Sequence, residues 1–337
     1  MIKRYHYLFL PFLLFLLAST SLQAQKQYNS EIYGKITQKL PKDDLGVVIV
    51  LTPDFFNKEL YSGDIQKDGT FRVRFKKYFA GVVFFKYNQK SEAVFIRPGE
   101  KLEINFDPTD FQNSKFEFAG NSPSASFNRA MNAWEKQRIQ GNRFAKLMKD
   151  LNFTQVQDSV VRFKREEMKR LQRFCLSNQC PSEFLKWARL DVLYREANEL
   201  MRFRWYQPVL NGQSPLKVIP KGYNYQFTRK FSLSQPLAMS SQNYRDYIHE
   251  HNMHWHYIAY SKQALDPENI DPEKELNWVL QNVKPGLARD LMLAENYGEL
   301  TQKGNKALLK ELTPKFLTKM KYQPAKDYIK YQALQHE

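Results

Sequence analysis

Near residue 120 the hydrophobic period of the chain changes from two to 3.6, and no other feature constrains the fold as strongly. Upstream, apolar residues alternate or run in short β-branched stretches: residues 31–36, 47–51, 81–85 and 93–96. Asp68-Gly69 signals a hairpin turn, after which Phe71, Val73 and Phe75 alternate with Arg72, Arg74 and Lys76. That strand has one apolar and one basic face, because successive side chains point to opposite sides. Pro98-Gly99 marks another turn, followed by Leu102, Ile104 and Phe106, and Phe116 and Phe118 close the series. About seven short strands predict an antiparallel β-sandwich over residues 28–118.

Downstream, Ser122-Pro123 supplies a cap and a first-turn proline, and Phe127, Ala130, Met131 and Trp134 follow at helical spacing. Val156, Val160, Phe163, Leu171 and Phe174 form a longer stripe, with Glu166, Glu167 and their basic neighbours off it. A helix starts at Pro181-Ser182-Glu183 and runs to about Trp205. Residues 207–238 read as a proline-punctuated loop, and helices resume over 241–260, 272–281, 286–303, 305–321 and 324–335. The predicted class is α+β: an N-terminal antiparallel sandwich followed by an all-α helical domain over 121–337.

Residues 1–24 read as a cleaved signal peptide. Lys3 and Arg4 precede an apolar run at residues 7–17, and a short, mostly small or polar tail ends at Ala24. That run would span about 16 Å as a helix, against a hydrocarbon core of about 30 Å. Export to the periplasm follows, with no transmembrane span in the mature chain. Without Lys3 and Arg4 the formal charge falls from +16 to +14. Export argues against nucleic acid as the partner of this basic surface and favours solvated charge.

Chemistry-bearing residues are few. Cys175 and Cys180, the chain's two cysteines, close one helix just before Pro181 opens the next. A thioredoxin-type motif needs Cys-x-x-Cys at a helix N-terminus, where the dipole lowers the thiol pKa. Four intervening residues at a C-terminus favour a structural disulfide, worth about 2 kcal/mol in the chain-entropy model. His249, His251, His254 and His256 are weak metal-ligand candidates. On a helix, 251 and 254 share one face and 249 and 256 another, so the four do not converge on one ion. Nucleophile elbow, dinucleotide fingerprint and P-loop are missing, and the pairs Asp43-Asp44 and Glu166-Glu167 read as solvated surface. No catalytic residue and no cofactor is assigned, which weighs against an enzyme.

The order of the parts resembles the N-terminal half of exported TlpA-like thiol-disulfide oxidoreductases. The resemblance rests on Asp68-Gly69-Thr70-Phe71, on Arg97-Pro98-Gly99-Glu100-Lys101-Leu102, and on Phe118-Ala119-Gly120-Asn121 leading into helices. In the helical part it rests on Tyr244-Arg245-Asp246-Tyr247-Ile248 and on the phrase from Asp290 through Asn296 to Tyr297. In that family a thioredoxin domain bearing Trp-Cys-x-x-Cys follows. Here the sequence ends at Glu337, where that domain would begin, and the resemblance carries no redox residue over.

Three readings follow: a non-catalytic exported module for protein–protein contact, the leading fragment of a split or truncated oxidoreductase, or a glycan- or peptide-binding protein. Trp187, Trp205, Trp255 and Trp278 fall at helical positions, which favours core packing over sugar platforms. On the first reading the partner is a separate thioredoxin-like protein or its client. Contact is expected over 286–335, where Tyr322, Tyr328 and Tyr331 could cover a helix face among Lys319, Lys321, Lys326 and Lys330. The same tyrosines could equally pack on the preceding helix.

Overall fold

A computed structural model describes residues 29–37, 46–55, 58–109, 116–138, 148–215, 217–261 and 271–336. The expected signal peptide, together with Asp43 and Asp44, lies outside them. The protein is α+β. Strands β1 (Asn29–Lys35), β2 (Val47–Thr52), β3 (Glu59–Asp64), β4 (Thr70–Lys76), β5 (Gly81–Tyr87), β6 (Lys90–Ile96), β7 (Lys101–Asn105) and β8 (Glu117–Phe118) come first. They form two four-stranded sheets, ordered β4-β1-β7-β8 and β3-β2-β5-β6. All pairings are antiparallel except β1 with β7, which run parallel. Strand β3 has no counterpart among the expected strands. It lies at a sheet edge with no fully buried residue, so it carries no strong alternation to read.

Inward residues of the two sheets meet in one core. Ile32, Phe71, Val73 and Phe75 face Val48, Val50, Val83 and Phe85, and the Phe71 and Phe85 rings lie 5.6 Å apart. Arg72 and Arg74 point outward and flank Glu31 at 3.4 and 2.9 Å. The two guanidinium groups are exposed, while the Glu31 carboxylate between them is buried. Gly34 is required by close approach: a Cβ there would sit 1.8 Å from the Ile104 carbonyl oxygen. Gly69 has φ +82°, which a side chain would strain, and Asp68 accepts from both the amide and the hydroxyl of Thr70 in the same turn.

Helices α1 (Pro123–Glu135), α2 (Phe153–Asn178), α3 (Ser182–Leu210), α4 (Gln242–Ser261), α5 (Pro272–Asn282), α6 (Leu287–Gln302), α7 (Lys306–Lys319) and α8 (Gln323–His336) follow. Helix α3 runs past Trp205 to Leu210 with Pro208 inside it. Short 3-10 turns at Tyr225–Lys230 and Pro236–Ala238 occupy the expected loop. Cys175 and Cys180 are joined by a disulfide across the α2–α3 turn, with their Cα atoms 4.8 Å apart. Glu167 is not solvated surface. It is fully buried and binds Arg138 at 2.9 Å and Arg195 at 3.4 Å, because α3 covers that face of α2.

Helices α1 and α3 cover the outer face of β5 and β6. Phe95 stacks on Phe127 at 3.8 Å, and Phe127 meets Phe184 and Trp187 edge-on. This explains the unbroken apolar run in β5, since a strand buried on both faces need not alternate. Edge strand β6 is sealed by a side chain. The Asn128 amide accepts from the Phe95 N–H and donates to the Phe95 carbonyl, both at 2.7 Å, and so imitates one rung of a neighbouring strand. Both residues are buried. Asn128→Ala would strand two backbone groups and should cost about 3 kcal/mol. Urea unfolding of the variant should show a lower midpoint at an unchanged slope.

Candidate functional site

Where β2 leaves the sandwich, Pro53, Asp54 and Phe55 turn toward the helices. Asp54 is 3% exposed; it forms an ion pair with Lys77, itself 0% exposed, and accepts from the Tyr78 amide at 2.8 Å. Burial pulls the Lys77 ammonium below its usual range, and Asp54 partly opposes this. The pair fixes the β4–β5 turn against the end of β2. Phe55 then stacks on Tyr328 of α8 at 4.3 Å and meets Tyr78 and Phe79 edge-on at 5.3 and 5.6 Å. The turn at Arg97–Glu100 makes a second clamp. Glu100 accepts from the Ser124 amide in the first turn of α1 at 3.2 Å, and Arg97 binds Ser124 and Glu183.

Beside the first clamp lies a cleft of about 250 Å³. Its apolar walls come from Pro53, Phe55, Ile248 and Leu291, and its polar groups from Asp54, Lys58, Gln242, Arg245, Asp246, His249 and Glu295. Two phrases of the helical part thus converge here: Arg245, Asp246 and Ile248 from α4, and Leu291 and Glu295 from α6. Arg245, 8% exposed, donates to the Met239 carbonyl and to Gln242 Oε1, both at 2.6 Å. Its guanidinium lies 5.3 Å from the Phe79 ring centre. Burial pulls its pKa down, with Asp54 and Asp246 opposing. Asp246 faces Arg202 at 3.3 Å and accepts from Gln242 at 2.6 Å.

The three described histidines of this segment separate. His249 faces the cleft and binds Glu295, which also accepts from Asn252 at 3.2 Å. Burial alone would lower the His249 pKa. The Glu295 hydrogen bond and charge, with Glu250 and Asp246, override it and push the value up to about 9. His251 and His254 point away and are buried, and burial drops them to about 4 and about 3. His254 stacks flat on Tyr225 at 3.9 Å. His251 lines a second cavity, of about 710 Å³, with Tyr225, Trp278, Arg229 and Lys284. The His256 side chain lies outside the described residues. Among the described residues no group of three or more His, Cys, Asp or Glu could hold a metal ion.

Tyr328, one of the three tyrosines expected at a contact face, is 1% exposed under Phe55. Tyr331 lies beneath the Lys76 ammonium at 3.8 Å, and Tyr322 packs against the helical core. All three therefore serve internal contacts. Comparison with protein-family models, curated proteins and solved structures finds no match to this chain.

Two outcomes are expected. Asp54→Asn should cost about 3–5 kcal/mol by leaving Lys77 buried without its counter-charge. Adding Lys77→Met should recover most of that loss in denaturant unfolding, because Asn can still accept from Tyr78. The second concerns pH. The His249 pKa is raised above the unfolded value of about 6.5, so its stabilisation is complete below pH 6.5 and lost between about 6.5 and 9. The stability gap between the wild type and His249→Gln should therefore be widest near pH 6 and close by pH 9.5. A gap that widened with pH would contradict the assignment.

Proposed function

We propose that this chain is a non-catalytic exported module that makes protein–protein contact in the periplasm. One observation carries the reading. The sandwich and the helices are interlocked by the Asp54–Lys77 pair and the Phe55–Tyr328 stack, and this rigid seam borders a cleft of mixed apolar and charged lining. A scaffold of this kind holds a partner without rearranging, because its binding groups are already ordered. The cleft has His249 and three carboxylates, but each is engaged in an ion pair or hydrogen bonds that hold the structure together.

Export is supported by the leader-like residues 1–24 and by the Cys175–Cys180 disulfide, which suits an oxidising compartment. Cys175 lies in the last turn of a helix, where the dipole does not activate a thiolate, and the pair lacks the Cys-x-x-Cys spacing. The order of a sandwich and then helices accords with the resemblance to the TlpA-like N-terminal half. On that reading the partner is a separate thioredoxin-like protein or its client. The contact is assigned to the seam cleft rather than to the tyrosines of α8, which are used internally.

Lysine-reactive cross-linking in intact envelopes tests this. Lys58 at the cleft rim is expected to link to one recurrent partner, a thioredoxin-like protein or a thioredoxin client. The chain should fractionate with the periplasm, and the purified protein should not turn over insulin disulfides. Reductase turnover lost in Cys175→Ser, or a chain that remains unlinked in envelopes containing such a partner, would overturn the proposal.

A further inference from the structure

Between α4, the C-terminal end of α5, the start of α6 and the 3-10 turn at Tyr225–Lys230 lies the larger cavity, of about 710 Å³. It shares no lining residue with the seam cleft. Its volume falls in the range of about 300–1,000 Å³ that small-molecule sites occupy. The inner wall is apolar and aromatic: Val283 and Leu287 are buried, and Tyr225, Leu233 and Trp278 are half-buried. His251 in the same wall is held neutral by burial, with a pKa of about 4, and adds no charge.

The charges that do line the cavity are all of one sign. Arg229 and Lys284 are exposed at its rim, and no Asp or Glu lines it. Among the described residues neither cation forms an ion pair. Helix α6 begins in the same wall at Gly286, which has no side chain to cap it, so the first amides of the helix add a partial positive charge. Asp290 in that first turn is committed to the Lys321 and Tyr322 amides. The small polar side chains of the lining are mostly used up. Asn224 accepts from the Gln226 amide and Ser232 from the Ser234 amide, while Thr228 and Asn282 donate to the carbonyls of Tyr225 and Trp278. A sugar needs a partner for each hydroxyl it buries and would find few left here. A ligand with one polar end needs partners only at the rim.

We propose that this cavity binds a small amphipathic anion, with a single apolar body against Trp278, Leu233 and Leu287 and the anionic head toward Arg229 and Lys284. The inference goes beyond the protein-contact reading and is independent of it. Apolar walls supply the attraction for the body, and a rim of one sign selects the charge of the head.

Calorimetric titration of the purified protein with dodecanoate, kept below its micelle concentration, tests this. One equivalent is expected to bind. Dodecyltrimethylammonium, the same chain under a cationic head, should bind about tenfold more weakly. Reversing both rim charges with Arg229→Glu and Lys284→Glu, at exposed positions, should weaken dodecanoate by about tenfold at an unchanged melting temperature. The Ser234 hydroxyl lies 3.8 Å from where a Cβ on Gly286 would sit, so Ser234→Trp should fill the space between them and abolish binding. Failure of dodecanoate to bind, equal affinity for the two head groups, an indifferent charge-reversed variant, or full binding by Ser234→Trp would each overturn the inference.

Discussion

An ammonium group with no solvent exposure must have its charge answered nearby, and the seam of this protein follows from how Lys77 meets that requirement. Its counter-charge is Asp54, which lies 23 residues away on a different strand end. Bringing the two together holds the β4–β5 turn against the exit of β2. That juxtaposition gathers Phe55, Tyr78 and Phe79 into one aromatic wedge aimed at the helices. Tyr328 closes over the wedge, which draws α8 back to the first part of the chain, where Gln332 donates to Glu59 at 3.3 Å. The pair adds little net stability by itself, but losing either half would leave a bare charge inside.

Among the described residues two attachments join sandwich and helices, and the wedge is one. The other surrounds Phe95 and the Arg97–Glu100 turn. There, Asn128 completes the backbone of an edge strand and Glu100 meets the N-terminus of α1. The two attachments use different physics. The first is a desolvated ion pair under aromatic rings, and the second is amide pairing beside a stacked Phe95–Phe127. With apolar cores continuing across both, Tyr78 and Phe79 join the helical core, while Val82 and Phe95 join the one built from α1, α2 and α3.

Charge placement separates structural from available groups. Arg138, Glu167, Asp191 and Arg195 form a buried network between α1, α2 and α3, and each is satisfied within it. The histidine-rich segment of α4 divides by face. His249 meets Glu295 and is held protonated, whereas His251 and His254 turn toward aromatic neighbours and are held neutral. Helical geometry puts neighbours 100° apart, so His249 meets a different environment from His251 and His254. The cleft lining gathers both signs, Asp54, Asp246 and Glu295 with Lys58, Arg245 and His249.

Much of the architecture was legible in the sequence because it rests on local periodicity. Phe71, Val73 and Phe75 alternate because one face of β4 is buried, and Val156, Val160 and Leu171 recur because one stripe of α2 is buried. Proline at Pro123 and the cap at Ser122 mark the start of α1 for equally local reasons. Strand β3 escaped because an exposed edge imposes no pattern. Glu167 was read as surface because a carboxylate on a helix is ordinarily solvated, and only the packing of α3 shows otherwise. The cleft was not legible at all: Asp54, Arg245 and Glu295 are separated by 191 and 50 residues, and none belongs to a motif whose spacing states a chemistry. By itself the sequence determined the α+β class and most element boundaries, since burial on one face repeats with the period of the backbone. Which charge pairs with which depended on contacts between distant segments, and only the tertiary structure decided that.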